Sequence, residues 1–233
     1  MKYNKEFVER LSIGTVDYDE IIVPALRASL ESVRGKKILD LGCGNGRYSR
    51  LFARLGAQVM GIDKNKNQLD LAIEREHVDR LGIDYKSGDI RSLGIGRDSY
   101  DVVLLMFVLV DTSTAAAVKD FISVASEILK RGGLLVIADL HPHNINRHND
   151  IENVTPKGEY SYFDNGAEAS SRTWLNDGTA VSFCPNYHYR LDFILNTLAE
   201  GGFCLRKFVE PEYRTAFPTH MLVLARNDKT EPH

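Results

Sequence analysis

Between Lys36 and Asp139 the chain alternates: short apolar runs ending in an acid or a glycine are each followed by an amphipathic stretch. This constrains the fold more than any other feature, because strands alternating with helices assemble as a parallel sheet covered on both faces. Lys37 to Leu41 reads as the first strand. Tyr48, Leu51, Phe52 and Leu55 share one helix face, stopped by Gly56. Gln58 to Asp63 is the next strand, and Asn65 is a fitting N-cap for a helix carrying Leu69, Ala72, Ile73 and Leu81 and ending at Gly82. Ile83 to Lys86 is a short strand. The long apolar run from Tyr100 to Val110 predicts a central strand buried on both faces. Val118, Phe121, Ile122, Ala125, Ile128 and Leu129 make another helix stripe, closed by Gly132-Gly133, and Leu134 to Asp139 is a further strand.

Outside this core, Tyr18 to Val33 predicts a helix, and Leu191, Ile194, Leu195 and Leu198 mark another, closed by Gly201-Gly202. Phe203 to Val209 and His220 to Arg226 predict two strands whose short link, Glu210 to Thr219, fits an antiparallel hairpin. Only Pro24 precedes residue 142, so the later part is more broken. Asn144 to Asn186 is expected to be long and irregular, as functional loops often are.

At 233 residues the chain is long enough to bury a core without a disulfide or metal staple. A net charge of −3 gives no general attraction for nucleic acid. Cys43, Cys184 and Cys204 are odd in number and widely spaced, so no disulfide framework or zinc spacing emerges. Met1 to Leu11 is charged and lacks an apolar h-region, so no signal peptide is expected. No run approaches the roughly 20 apolar residues of a membrane span, and a reducing, cytoplasmic setting is expected.

The candidate binding site lies at the loop Asp40-Leu-Gly-Cys-Gly-Asn-Gly46, which joins the first strand to a helix. In an open parallel sheet, ligands bind at the carboxyl ends of the strands. A dinucleotide fingerprint has the spacing G-x-G-x-x-G, whereas Gly42, Gly44 and Gly46 follow G-x-G-x-G. Asp40 would sit poorly beside a pyrophosphate but well beside an ammonium or sulfonium. Asp63 ends the second strand, where a carboxylate can take ribose hydroxyls. Asp89, after Gly88, ends the third, where a carboxylate can accept from an adenine amino group. Three acids at three successive strand ends suit a cationic adenosine and not a polyphosphate.

These residues, with Ile38-Leu39 ahead of the loop, Gly61-Ile-Asp63, Tyr100-Asp-Val-Val103 and Glu127-Ile-Leu-Lys-Arg-Gly-Gly133, resemble in order and spacing the successive motifs of the class I S-adenosylmethionine-dependent methyltransferases. Arg131 stands where that family often has proline. The resemblance implies S-adenosylmethionine as cofactor and S-adenosylhomocysteine as product. It implies that Gly42, Cys43, Gly44, Asn45 and Gly46 hold the methionine moiety with Asp40 near its amino group. Asp63 would bind the ribose, and Asp89 and Ile90, after Gly88, the adenine. Met106 and Phe107 would line the sulfonium end. Lys64 is a further cofactor-side candidate, although Lys64 and Gln68 fit solvated helix positions better than adenine contacts.

The segment from His141 to Tyr189 holds four of the seven histidines, the single tryptophan and several further aromatics, a composition suited to a small-molecule pocket. Tyr162-Phe-Asp164, Trp174, Tyr187-His-Tyr-Arg-Leu191 and His141-Pro142 resemble a bacterial small-molecule subgroup of these enzymes, with Tyr189 where the subgroup has arginine. Tyr162, Trp174, Tyr187 and Tyr189 are the candidate substrate contacts. An oxygen or nitrogen nucleophile must lose a proton, and histidine is suited to take it near neutral pH, so His188 and His141 are the candidate bases. His141, His143, His148 and Asp139 are too unevenly spaced for a defined metal site, and none is expected.

The expectation is therefore one methyltransferase domain over residues 1–233, with a Rossmann-like, doubly wound seven-stranded α/β sheet, mostly parallel with the last strand antiparallel. Residues 1–35 would form a helical cap, 36–140 the cofactor-binding half, 141–189 a substrate-side insertion after the fifth strand, and 190–233 the last helix and hairpin. The protein, as monomer or homodimer, would methylate an oxygen or nitrogen of a small molecule, as in secondary metabolism. The alternatives are an RNA- or protein-directed methyltransferase and a non-catalytic adenosine-binding regulatory module. Lys2, Lys5, Arg147, Lys157, Arg172 and Arg190 are too scattered to form a nucleic-acid stripe.

Overall fold

The computed structural model describes residues 7, 9–10, 14–15, 17–145, 147–148, 152–215 and 217–228; the side chains of residues 17, 147, 148, 152 and 184 lie outside that description. Much of Met1 to Leu11, Lys2 and Lys5 included, therefore lies outside the described residues, as do the side chains of Arg147, His148 and Cys184.

The main sheet has seven strands: β1 (Lys37–Leu41), β2 (Gln58–Asp63), β3 (Asp84–Ser87), β4 (Tyr100–Met106), β5 (Leu129–Leu140), and two that follow the insertion, Phe203–Val209 and His220–Asn227. The insertion contributes β6 (Arg147–His148), β7 (Glu152–Pro156), β8 (Ala167–Trp174) and β9 (Ala180–His188), so the last two strands of the main sheet are β10 and β11. The order is β10-β11-β5-β4-β1-β2-β3. Only β11 runs against its neighbours, pairing antiparallel with β5 and β10. The chain order reverses beside β1, which pairs parallel with both β2 and β4. This is the doubly wound arrangement expected from the sequence.

Helices α1 (Val23–Ser29), α2 (Arg47–Arg54), α3 (Lys66–Asp79), α4 (Ala115–Ile128) and α5 (Leu191–Glu200) cover the two faces. Strand β4 shows why its sequence is apolar throughout. Val103 and Leu105 pack with Ile122, Ile137 and Ile194 on one face, while Val102 and Leu104 pack with Leu26, Phe52 and Leu222 on the other. Each fully buried aliphatic contributes about 1.5–3 kcal/mol. Asn65 caps α3 by accepting from the Gln68 N–H, and Thr114 caps α4 by accepting from the Ala117 N–H.

Several element boundaries depart from the sequence reading. Strand β4 stops at Met106, because Phe107 adopts φ 59° and a 3-10 turn, Leu109–Asp111, follows. Helix α4 ends at Ile128, and Gly132-Gly133 lie inside β5 instead of closing the helix. The predicted helix over Tyr18 to Val33 is a π-helical turn, Asp17–Ile22, running into α1.

The largest departure is the segment expected to be irregular. It is a second, antiparallel sheet in the order β6-β7-β8-β9. Along β8 the inward positions are Ala169, Ser171 and Thr173. Their period of two is that of a strand, but with little apolar contrast. Tyr189, just after β9, anchors this sheet to the main body by donating from its hydroxyl to the Thr112 carbonyl at 2.5 Å. The N-terminal segment closes on the other end. Thr15 bridges Leu175, the Asn176 N–H donates to the Gly14 carbonyl, and Asn176 Nδ2 donates to Asp19 Oδ2.

Candidate functional site

The carboxyl ends of β1, β2, β3 and β4 open into a cleft of about 690 Å³, well within the range of roughly 300–1,000 Å³ typical of small-molecule sites. Its floor is the glycine loop, Gly42 to Asn45, with Asp63, Asp89 and Phe107 beside it. Ser171 and Thr173 of β8 and Phe183, Asn186 and Tyr187 of β9 form the opposite wall. Thr15, Tyr18 and Arg47 close one side.

The loop needs glycine for two separate reasons. At Gly42 (φ 80°) a Cβ would lie 2.7 Å from Val108, and at Gly46 (φ 74°) it would lie 2.1 Å from the Tyr85 hydroxyl. These positions let the chain pass close to its own core. At Gly44 (φ 54°) the nearest atoms to a Cβ are those of the Gln68 amide, at 3.7 Å, so this residue opens onto the cleft. The loop is held by Gly42 N–H and Cys43 N–H, both donating to the Ile62 carbonyl at 2.8 and 3.0 Å.

The three acids occupy three different environments. Asp63 lines the cleft; its Oδ2 accepts from Gly44 N–H at 2.8 Å and its Oδ1 from Asn65 N–H at 2.7 Å. Burial raises its carboxyl above the usual range, and these two bonds oppose the rise. Asp89 lines the cleft and is exposed; its Oδ1 caps a 3-10 turn by accepting from Arg91 N–H at 2.9 Å. Asp40 does not line the cleft. It is buried beneath the loop, where its Oδ2 accepts from the Ser49 hydroxyl at 2.5 Å and its Oδ1 has no partner. Burial, with Asp63 nearby adding to it, pushes the Asp40 carboxyl up to about 7.

Cys43, Asn45, Lys64, Gly88, Ile90, Met106 and Phe107 also line the cleft, whereas Gly46 stands just behind it as the cap of α2. Burial and the two neighbouring carboxylates hold the Cys43 thiol well above its usual range, which leaves it protonated and a poor nucleophile.

The two histidines require a correction: neither lines this cleft. Both face a separate, adjoining cavity of about 40 Å³, room for a water or two. His188 Nε2 is 2.9 Å from the Tyr162 carbonyl and takes the donor role there. His141 Nδ1 accepts from His143 N–H at 3.0 Å, and its Nε2 lies 3.0 Å from Glu210 Oε1 but off the line of a hydrogen bond. Burial lowers the pKa of both rings. Of the candidate substrate contacts, only Tyr187 lines the large cleft, and it also borders the small cavity. Tyr189 borders the small cavity alone. Tyr162 and Trp174 border neither; Tyr162 leans on the His188 ring at 5.3 Å, and Trp174 lies under the Arg172 guanidinium at 5.6 Å.

The cleft also contains residues the sequence reading passed over. Arg47, immediately after Gly46, lies 3.8 Å over the Tyr18 ring and 3.6 Å from Asp19. Gln68 is not solvated: it is buried and lines the cleft. Its spacing from Asp63 was the available signal. For Ser171 and Thr173 there was none, since a small polar residue looks the same in a loop and in a wall. Among the described residues no group of three or more His, Cys, Asp or Glu could hold a metal ion, and no helix is long and apolar enough to cross a membrane.

Residues 39–137 match the family model described as a methyltransferase domain. Over 184 residues the chain is 28% identical to a ubiquinone biosynthesis O-methyltransferase of Bartonella bacilliformis, covering 79% of this chain and 58% of that protein. Over 116 residues it is 34% identical to a protein of the same name from Pelagibacter ubique, covering 50% of this chain and 47% of that one. The chain thus spans about half the length of the curated relatives it matches. Among solved structures it is similar to an S-adenosylmethionine-dependent methyltransferase from Mesorhizobium loti, with a TM-score of 0.66, 25% identity, and coverage of 91% of this chain and 98% of that one.

Proposed function

We propose that this chain, which carries a class I S-adenosylmethionine-dependent methyltransferase domain, moves a methyl group to an oxygen or nitrogen of a small acceptor and leaves S-adenosylhomocysteine. The observation that carries the reading is that Asp63 and Asp89, from the ends of β2 and β3, face one cleft whose far wall is the second sheet. The residues fit the cofactor. A Cβ on Gly44 would meet only the Gln68 amide, at 3.7 Å, so the loop leaves the cleft clear there, and Gln68 Oε1 is a buried acceptor still without a donor beside the same loop.

When bound, S-adenosylmethionine supplies an electrophilic methyl group on a sulfonium. The chain's part is to bind, orient and exclude water. Asp63 offers a carboxylate to the ribose, and Asp89 Oδ2 is free of the capping bond and offers an acceptor to the adenine amino group. Asp40 favours positive charge above the loop without touching it. Tyr18, Tyr48, Phe107, Phe183 and Tyr187 give the remaining space aromatic walls, which fit a flat, largely apolar acceptor. Alignment of acceptor and methyl group supplies most of the rate in such a transfer. No histidine lines the cleft among the described residues, so the acceptor's proton leaves to solvent or to an oxygen of the cleft. The names of the relatives support oxygen over nitrogen.

Two measurements test the reading. Calorimetry should show binding of S-adenosylmethionine and S-adenosylhomocysteine, and Asp63→Ala should weaken it at least about tenfold by removing charge-assisted hydrogen bonds. Mass spectrometry of a metabolite extract incubated with methyl-labelled cofactor should reveal one labelled small molecule. A protein indifferent to both cofactor forms would overturn the assignment.

A further inference from the structure

We infer that the Gln68 side-chain carbonyl accepts a hydrogen bond from one hydroxyl of the cofactor's ribose, whose other hydroxyl donates to Asp63. The inference rests on the methyltransferase reading and deepens it. Asn65 and Gln68 have the spacing of a capping box, in which the fourth residue reaches back to the backbone N–H of the cap. Half of that box is present, since Asn65 Oδ1 accepts from Gln68 N–H at 3.2 Å. The other half is blocked, because the Asn65 N–H already donates to Asp63 Oδ1 at 2.7 Å. The Gln68 amide is therefore released from the helix end and turned elsewhere.

It turns into the cleft. Gln68 is 7% exposed, lines the cavity, and its Oε1 is buried with no hydrogen-bond partner. That oxygen lies 3.7 Å from the point where a Cβ would stand on Gly44, the loop residue whose N–H donates to Asp63 Oδ2. An orphaned amide oxygen in such a place is costly unless a ligand brings a donor. Asp63 already takes one backbone N–H on each oxygen, and a second acceptor on the other side of Gly44 lets two neighbouring hydroxyls be held separately.

The test uses Gln68→Met, of nearly the same length, with Gln68→Leu as a second variant. Calorimetry compares S-adenosylhomocysteine with its 2′-deoxy and 3′-deoxy analogues on the wild type and on each variant, and thermal denaturation is followed without ligand. The expected result is a five- to twentyfold loss of affinity for S-adenosylhomocysteine. For one of the two deoxy analogues the wild type and the variants should bind alike, because without that hydroxyl neither protein can make the bond. The unliganded variants should melt no lower than the wild type, since an unpaired buried acceptor has been deleted. Unchanged ratios between the ribo and both deoxy forms in the variants overturn the assignment alone. Failure of the wild type to bind S-adenosylhomocysteine overturns the methyltransferase reading and this assignment with it.

Discussion

His188 shows how far residue type can mislead about direction. Its chemistry near neutral pH made it a natural base, and its place before the last helix put it near the cleft. Which way a ring turns at the end of a strand is decided by its neighbours, and here the Tyr162 carbonyl, 2.9 Å from Nε2, holds it toward the small cavity. The expected consequence of His188→Ala is a stability loss of about 1–3 kcal/mol from the lost hydrogen bond to the Tyr162 carbonyl and lost packing. Cofactor affinity and turnover, on whichever acceptor the labelling experiment identifies, should stay within about twofold once corrected for the folded fraction. A turnover loss above about tenfold at unchanged melting temperature would restore it as a base. Gln68 is the converse case. Its spacing from Asp63 was the one sign in the sequence, and the competition of Asp63 for the Asn65 N–H explains where it points.

Elements of the main sheet were legible because their burial is two-sided or strongly one-sided, so that apolar periodicity reports it directly. Their ends were less so, since Phe107 at φ 59° ends β4 inside an unbroken apolar run. The second sheet was illegible for a physical reason. Its inward residues on β8 are small or hydroxylated and its wall faces a cleft instead of a core. The glycine loop was legible as a unit, but its members differ, and that difference is testable. Gly44→Ala places a methyl into open cleft at φ 54°, so it should fold with a loss of only about 1–2 kcal/mol while cofactor binding falls by more than tenfold. Gly46→Ala adds to the same backbone strain a contact with the Tyr85 hydroxyl at 2.1 Å, so it should be the more destabilising of the two in chemical denaturation. Equal stabilities would mean that the loop relaxes as a whole and that Tyr85 does not support it.

Across the whole molecule, folding and binding are linked through a buried acid. Burial pushes both Asp40 and Asp139 up to about 7, against hydrogen bonds that act the other way. A carboxyl raised in the folded state contributes its stability fully below the unfolded value of roughly 4 and loses it as pH rises toward 7. His141 and His188, lowered by burial, act in the opposite sense, losing stability as pH falls below about 6.5. Asp101, lowered by Lys130 and the Lys37 N–H against the effect of burial, matters only below about 4. These windows overlap, so the overall melting curve does not isolate Asp40, whereas a difference between proteins does. Asp40→Asn can keep the bond from Ser49 but cannot ionise, so its stability relative to the wild type should grow from pH 5 to pH 8. The same substitution should weaken binding of a cationic cofactor more at pH 8 than at pH 5, because only the ionised acid attracts positive charge above the loop. Binding by the wild type near pH 6.5 should then release protons, seen as a dependence of the calorimetric heat on the ionisation enthalpy of the buffer, and Asp40→Asn should abolish most of that release. Equal release by both proteins would place the proton on another group and break the proposed link between the buried acid and the cleft.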